Sequence, residues 1–314
     1  MKAVIVSEFG GPERLRLTDA ADPVPGDRQV RIRVHAAGVN PVDAGNRADG
    51  SWAGISLPCI LGYDVAGIVD SLGPGVAGLA PGDRVMAMTH FPDGGGGYAE
   101  LAVVDAAQVA RIGPDTSFAE AAATPLAGGT ASLVLARLGL RPGSRLLVLG
   151  ASGGVGLFLL QLAARQGIET IGVGRSAMHK QMLTLGAGSC IDYTQEEPDQ
   201  RAIQRAGGPV DAIADLVGGP HLATALGGLR HGGQVAAIET PQLDLDPLLD
   251  ANLTFHGVLL HDDGQRTREL AALLAGRALQ PVISHQLPLA DAAEAHRILE
   301  QRHAGGKIVL DVVS

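Results

Sequence analysis

The chain has 314 residues, enough for two domains that each bury a core, and 46% of them are apolar. Its formal charge of −9 disfavours a nucleic-acid or anionic-membrane surface, and no unbroken apolar run approaches the roughly 20 residues that a membrane span needs. Only two cysteines occur, Cys59 and Cys190, in no metal-type spacing, so a disulfide framework and a Cys-rich zinc site are excluded.

The opening residues, Met1-Lys2-Ala3-Val4-Ile5-Val6-Ser7-Glu8, alternate like a strand and lack the apolar block of a signal peptide, so a cytoplasmic protein is expected. Residues 2–7 and 14–17 read as a hairpin around Gly10-Gly11-Pro12. Residues 29–37 alternate cleanly, with Val30, Ile32, Val34 and Ala36 on one face. Residues 63–72, 83–88, 98–104 and 108–112 are further short strands, parted by turns such as Pro81-Gly82-Asp83. Strands at this spacing predict a barrel-like, mainly-β domain. Near residue 118 the texture changes, and residues 118–125 and 130–138 read as helices. Strand and helix then alternate, with strands at 145–149, 169–173, 190–192, 210–217, 234–238 and 255–260. That order predicts an α/β doubly wound parallel sheet. Helices follow at 267–275 and 289–302, and a strand at 307–312 is expected to return to the first domain. The domains are therefore expected at 1–122 with 262–314, and at 123–261.

The most informative stretch runs from Arg145 to Gln166. An apolar strand ends in Gly150-Ala151-Ser152-Gly153-Gly154-Val155-Gly156 and passes into a helical pattern. Ala151, Gly153 and Gly156 fill the small-residue slots of a dinucleotide fingerprint, with Ala in place of the first Gly. The backbone must turn sharply there, approach a pyrophosphate, and pack a helix close to a strand. Helix N-terminal amides then face the phosphates.

Ala37-Gly38-Val39-Asn40-Pro41-Val42-Asp43, Leu61-Gly62-Tyr63-Asp64-Val65-Ala66-Gly67, Pro81-Gly82-Asp83-Arg84-Val85, Gly97-Tyr98-Ala99-Glu100, the glycine turn and Gly306-Lys307-Ile308-Val309-Leu310 follow one another across nearly the whole chain. In that series the chain resembles the medium-chain dehydrogenase/reductase superfamily, in its zinc-free quinone oxidoreductase (zeta-crystallin-like) branch. The resemblance implies a GroES-like mainly-β barrel domain for catalysis and a Rossmann domain for the coenzyme. Zinc alcohol dehydrogenases of the superfamily carry Cys at the place of Asn40, His at that of Tyr63, and another Cys near Pro125-Leu126. A catalytic zinc needs three side-chain ligands, and Asp64 alone remains, so no metal is expected.

An NAD-preferring Rossmann unit places an acid about 20 residues after the glycine turn, on the ribose 2′-hydroxyl. Here the second strand ends Val173-Gly174-Arg175-Ser176, without an acid. Arg175 offers a fork matched to a phosphate, Ser176 a hydroxyl and Lys180 a point charge, so NADPH is expected over NADH. The competing reading makes Arg175 and Lys180 exposed charges at a helix start. By resemblance, Tyr193 borders the adenosine phosphate; its alternative is a half-buried packing residue. Thr130 is carried over to the nicotinamide, Leu216, Val217 and Ile238 to the ribose, and Lys307 to the nicotinamide end, with a solvated strand-end charge as the alternative for Lys307.

NADPH without a metal implies hydride transfer to an acceptor that stabilises its own charge. Quinones and α,β-unsaturated carbonyls do so by conjugation, and one hydrogen-bond donor suffices. Asn40 is the leading polar candidate, as an amide donor or else a turn residue before Pro41. Tyr63 could donate from its phenol or plug the vacated metal cavity. Trp52 stands where this branch often has a tyrosine, and could stack on a flat acceptor. A non-catalytic NADPH-binding (crystallin-like or regulatory) protein and an alcohol dehydrogenase-type activity on another small carbonyl remain as alternatives. A short-chain reductase does not fit, since neither a glycine turn near residue 10 nor a Tyr-x-x-x-Lys pair is present. A homodimer is expected through the apolar edge at 255–260.

Overall fold

The computed structural model describes residues 1–92, 95–302 and 304–312. In chain order its strands are β1 (Lys2–Val6), β2 (Leu15–Asp19), β3 (Gln29–Val39), β4 (Cys59–Ile60), β5 (Asp64–Leu72), β6 (Arg84–Met88), β7 (Leu101–Asp105), β8 (Val109–Arg111), β9 (Arg145–Leu149), β10 (Glu169–Val173), β11 (Ser189–Ile191), β12 (Val210–Asp215), β13 (Leu229–Ala237), β14 (Thr254–Gly257), β15 (Ile283–Pro288) and β16 (Lys307–Asp311). The helices are α1 (Pro41–Ala48), α2 (Phe118–Ala122), α3 (Pro125–Leu138), α4 (Gly154–Arg165), α5 (Ser176–Thr184), α6 (Gln200–Arg205), α7 (His221–Ala225), α8 (Asp246–Asp250), α9 (Gly264–Ala275) and α10 (Ala292–Glu300). Two compact units result, residues 1–129 with 261–314, and residues 130–260.

In the first unit, β3 explains the sheet around it. Val30, Ile32 and Val34 alternate inward, and then a register shift opposite β5 between Val34 and Ala36 breaks the phase. Beyond that bulge Ala36 to Val39 are buried on both faces, so the alternation ends where the strand enters the interior. The seven-stranded sheet runs β15-β16-β3-β5-β6-β8, with β7 also on β3, and a three-stranded sheet runs β2-β1-β4. The closing strand β16 does return to this unit, pairing antiparallel with β3. Its neighbour β15 was not legible in sequence, because none of its side chains is fully buried and no apolar alternation marks it. Helix α1 also escaped the periodicity reading, although Pro41 stands at its first position and Asp43 reaches back 2.8 Å to the Asn40 amide.

The second unit is one parallel six-stranded sheet, β11-β10-β9-β12-β13-β14. The order reverses at β9, whose Leu146 to Leu149 are buried on both faces as its unbroken apolar run requires. Several boundaries differ from those expected, β13 for instance starting at Leu229 rather than 234. Pro125 opens α3 rather than closing the preceding helix, because its fixed φ suits a first helical position. The edge strand β14 stops at Gly257, three residues short of the expected 260.

At the β3 bulge, a Cβ on Gly67 would lie 2.0 Å from the Arg33 carbonyl oxygen, a backbone atom with nowhere to move. Gly67→Ala should therefore cost about 1–3 kcal/mol, read as a lower urea midpoint; an unchanged midpoint would refute this packing.

Candidate active site

The carboxyl edge of the parallel sheet gathers most of the residues expected to hold a coenzyme. Ile191, Val173, Leu149, Asp215 and Ala237 are register partners across five strands. The residues that follow them (Asp192, Gly174, Gly150, Leu216 and Ile238) therefore leave the sheet along one line. The order reversal falls between β10 and β12 on either side of β9, where open α/β sheets bind ligands.

The sharp bend sits on Gly150, at φ +79°, one residue ahead of the position expected for it. A Cβ there would be 2.6 Å from Val217 Cγ2. This is why Ala is tolerated at 151, where its side chain is buried against Gly172. Gly156 is needed for contact, since a Cβ would lie 2.4 Å from the Gly150 oxygen and 2.6 Å from Ala151 Cα. Gly153 is exposed, and a Cβ would meet only the Gly150 oxygen, at 3.3 Å. Gly153 precedes α4 without a side-chain cap. The first-turn amides of Gly154, Val155 and Gly156 are thus directed at the space beyond Gly153, beside Ser152, which suits a phosphate.

Arg175 and Tyr193, expected separately at the adenosine phosphate, are brought together: Arg175 Nε donates to the Tyr193 hydroxyl at 2.9 Å. Tyr193 is 40% exposed, and Ser176 and Lys180 lie on the exposed start of α5. An acid does stand at this edge, though not on the second strand. Asp192 follows β11 and accepts from the Ser176 amide at 3.1 Å and from the Thr194 hydroxyl and amide at 2.7 and 2.9 Å. These bonds, the Thr194 hydroxyl first, hold its carboxyl down to about 2. The Asp-x-Thr spacing would have revealed it. Asp215, also missed, is fully buried at the end of β12 and accepts from the Val217 and Gly218 amides at 3.1 and 3.0 Å, which turns the chain there. Thr130 is buried on α3, while Leu216, Val217 and Ile238 are half-buried.

In the first unit, Asn40 lies at the centre of a buried polar cluster. Its Nδ2 donates to Asp64 Oδ2 at 2.8 Å, and its Oδ1 accepts from Lys307 Nζ. Lys307 also donates to the Val39 oxygen at 3.1 Å and lies 3.5 Å from Asp64. It is 4% exposed, so the reading of a solvated strand-end charge is overturned: β16 pairs with β3 and carries the ammonium inside. Asp64 Oδ1 accepts from the Leu126 amide at 2.7 Å, in the first turn of α3. Burial pushes the Asp64 carboxyl up and the Lys307 ammonium down, and each opposes the other's shift.

Beyond Asn40 runs a second chain of contacts. Asp43 accepts from the Asn40 amide and from the Tyr98 hydroxyl at 3.0 Å; Tyr98 meets His296 Nε2 at 3.2 Å, and His296 Nδ1 meets Arg47 at 3.2 Å. A guanidinium can only donate, so His296 Nδ1 accepts and its proton sits on Nε2. Every hydrogen bond of the chain then points toward Asp43. Burial pushes the Asp43 carboxyl up to about 7 and holds His296 down to about 3, with Arg47 adding to the latter. Sequence reasoning missed Asp43, Tyr98 and His296 as partners, because 253 residues separate the first from the last.

Tyr63 is fully buried; its oxygen accepts from Asn46 Nδ2 at 2.5 Å and its proton goes to the Pro92 oxygen at 2.8 Å. Trp52 is 53% exposed, and its indole N–H is given to Asn46 Oδ1 at 2.7 Å. The donor set does not fit zinc. Asn40 and Tyr63 point their polar atoms at protein partners, an ammonium already stands beside Asp64, and among the described residues no three His, Cys, Asp or Glu side chains are placed to hold an ion.

A family model described as alcohol dehydrogenase GroES-like domain matches residues 26–114, and one described as zinc-binding dehydrogenase matches residues 185–310. The quinone oxidoreductase of Homo sapiens is 34% identical, over 99% of this chain and 97% of its own length. The chloroplastic NADPH-dependent alkenal/one oxidoreductase of Arabidopsis thaliana is 32% identical, over 99% of this chain and 79% of its own. The Escherichia coli quinone oxidoreductase complexed with NADPH superposes with a TM-score of 0.90 at 27% identity, covering 99% of this chain and 100% of that one.

His296 and Asp43 tilt stability with pH in opposite senses. The unfolded chain protonates His296 below 6.5 while the fold keeps it neutral to about 3, so this group lowers stability as pH falls. The unfolded chain ionises Asp43 above 3.8 while the fold keeps it protonated to about 7, so this group lowers stability as pH rises. His296→Gln removes the first slope only. Relative to the parent chain, its stability should fall by about 1 kcal/mol per pH unit between roughly pH 4 and 6.5, followed as urea midpoint against pH; parallel curves would refute the assignment.

Proposed function

The chain belongs to the medium-chain dehydrogenase/reductase superfamily, in its quinone oxidoreductase branch, and on that footing we propose that it reduces a quinone or an α,β-unsaturated carbonyl with NADPH and without zinc. The observation that carries this reading is the start of α4, which no side chain among the described residues caps, at the carboxyl edge, with the Arg175–Tyr193 pair on the same edge. When bound, NADPH supplies a hydride from its nicotinamide ring. We assign its pyrophosphate to the turn from Ala151 through Gly156, and its 2′-phosphate to Arg175, aided by Ser176, Lys180 and Tyr193. Thr130, Leu216, Val217 and Ile238 are assigned to the nicotinamide riboside. Residues 123–261 serve as the coenzyme domain in this scheme, and 1–122 with 262–314 as the catalytic one.

Asn40 is assigned to the acceptor oxygen. Its amide has two hydrogens; Asp64 takes one, and the second is the donor. Lys307, bonded to the Asn40 oxygen, pulls electron density from the amide and strengthens that donor. Lys307 thus acts through Asn40, and Tyr63 acts by holding Asn46. A single neutral donor is adequate for a conjugated acceptor, whose own π-system spreads the charge. The human quinone oxidoreductase and the Arabidopsis alkenal/one oxidoreductase support the two acceptor classes, and the NADPH dependence of the latter, with the Escherichia coli complex, supports NADPH.

A homodimer through β14 belongs to the same proposal. β14 is an edge strand of its sheet, Phe255 and Leu259 are 38% and 50% exposed, and Leu245, just before α8, and Leu249, on it, are 70% and 74% exposed. An apolar strand edge of this kind is normally covered. Among the described residues no helix is long and apolar enough to cross a membrane, and a cytoplasmic location is part of the proposal. Light scattering at micromolar concentration should give twice the mass of the 32.1 kDa chain; a monomeric mass would remove the dimer.

The direct test is NADPH oxidation against quinones, 2-alkenals, cyclic enones and simple aldehydes in the presence of a strong chelator. Turnover is expected with the conjugated acceptors. Binding of NADPH with no turnover on any of them would favour a non-catalytic NADPH-binding protein. Arg175→Asp should weaken NADPH relative to NADH by about 1–3 kcal/mol, the loss of a charge-assisted pair. An unchanged ratio of the two affinities would sink the Arg175 assignment.

A further inference from the structure

Aromatic residues are 3% of the chain, yet Trp52, Tyr63 and Phe91 meet, with His261 beside them. Phe91 stands edge-on to Tyr63 at 5.0 Å between centroids and lies 6.2 Å from Trp52, tilted by 55°. Its backbone amide donates to Asp262 Oδ1 at 3.3 Å, which ties the position of the ring to a second segment. Trp52 leaves about half of its surface in solvent. An indole so exposed would ordinarily turn among several rotamers. This one is held.

The hold has a single polarity. An indole N–H can only donate, so Asn46 must present its oxygen to Trp52 and its NH2 to Tyr63. The Tyr63 oxygen accepts that hydrogen, so the phenolic proton goes on to the Pro92 carbonyl. Turning the amide over would set two donors against each other at Trp52. Asn46 is 1% exposed and has no room to re-pair with water.

We propose that Asn46 is a positioning residue that locks Trp52 as a stacking platform flanked by Phe91, and that this platform selects flat fused-ring quinones over acyclic enals. The proposal rests on the reductase reading above. A fixed ring face loses little freedom when a flat acceptor covers it, and a fused bicyclic quinone covers far more of it than a short alkenal does. Asn40 serves both acceptors alike through their oxygen; the platform tells them apart by shape.

The chain's only Trp makes the test direct. With the full chain, 1,4-naphthoquinone should quench Trp52 emission saturably, beyond the collisional quenching of free N-acetyltryptophanamide, and 2-hexenal should not. In NADPH turnover, Asn46→Leu should raise the ratio of KM for naphthoquinone to KM for 2-hexenal by about 5–10-fold, with a smaller change in kcat for the quinone. Tyr63→Phe, which removes the far anchor of Asn46 but keeps the ring, should move the ratio the same way and serves if Asn46→Leu does not fold. A KM ratio unchanged in the folded variants would overturn the proposal, and so would emission no more sensitive than the free indole. If no acceptor is turned over, the reductase reading fails by itself. The quenching then decides the platform: saturable quenching supports it, and purely collisional quenching rejects it.

Discussion

The Asp64 carboxylate is fully buried, and it is tolerable there only because three elements converge on it. The first turn of α3 gives the Leu126 amide, the residue preceding α1 gives the Asn40 amide, and β16 carries in the Lys307 ammonium. Removing any one would leave a charge or a polar group uncompensated in a low-dielectric interior, where such losses cost several kcal/mol. The same convergence dictates a nearby glycine. A Cβ on Gly38 would lie 2.9 Å from Asp64 Cβ and 2.4 Å from the Ala122 oxygen. The ends of β3, β5 and β16 are therefore pinned to one point, and the orientation of Asn40 follows from the charges on either side of it.

Two buried carboxyl groups flank Asn40, and their surroundings set them apart. Asp64 has an ammonium beside it; Asp43 accepts from the Asn40 backbone amide and the Tyr98 hydroxyl, and its carboxyl is pushed up to about 7. The Arg47 guanidinium does not reach Asp43. It donates instead to the Gly10 oxygen at 2.9 Å, to Glu300 at 2.5 Å and to His296, and so fixes the imidazole as a neutral donor toward Tyr98. One carboxyl is paired with an ammonium, the other is held up near neutral pH by burial, and a single asparagine touches both.

Much of this was legible along the chain. Strand β9, the small residues after it and the helix beyond carry their own periodicity and steric demands, so turn, sheet and coenzyme edge could be read from neighbouring residues. The Arg175 fork and the absence of an acid at the end of β10 could be read in the same way. Asp192 was overlooked because it reaches that edge from β11. Lys307 was left between two readings because a lysine at a strand end looks solvated until the strand's partners are known.

Sequence by itself determined the alternation of strand and helix that makes a parallel sheet around β9, and the bend that suits a dinucleotide, since each depends on the shapes of residues within about one helical turn or strand of one another. Only the tertiary structure decided which polar atoms are already taken: the Asn40 amide between Asp64 and Lys307, the Trp52 indole on Asn46, the Tyr98 hydroxyl on Asp43. Hydrogen-bond direction is settled by what the partner can donate or accept, and apart from the Trp52–Asn46 pair those partners come from distant strands and helices. No local pattern encodes that choice.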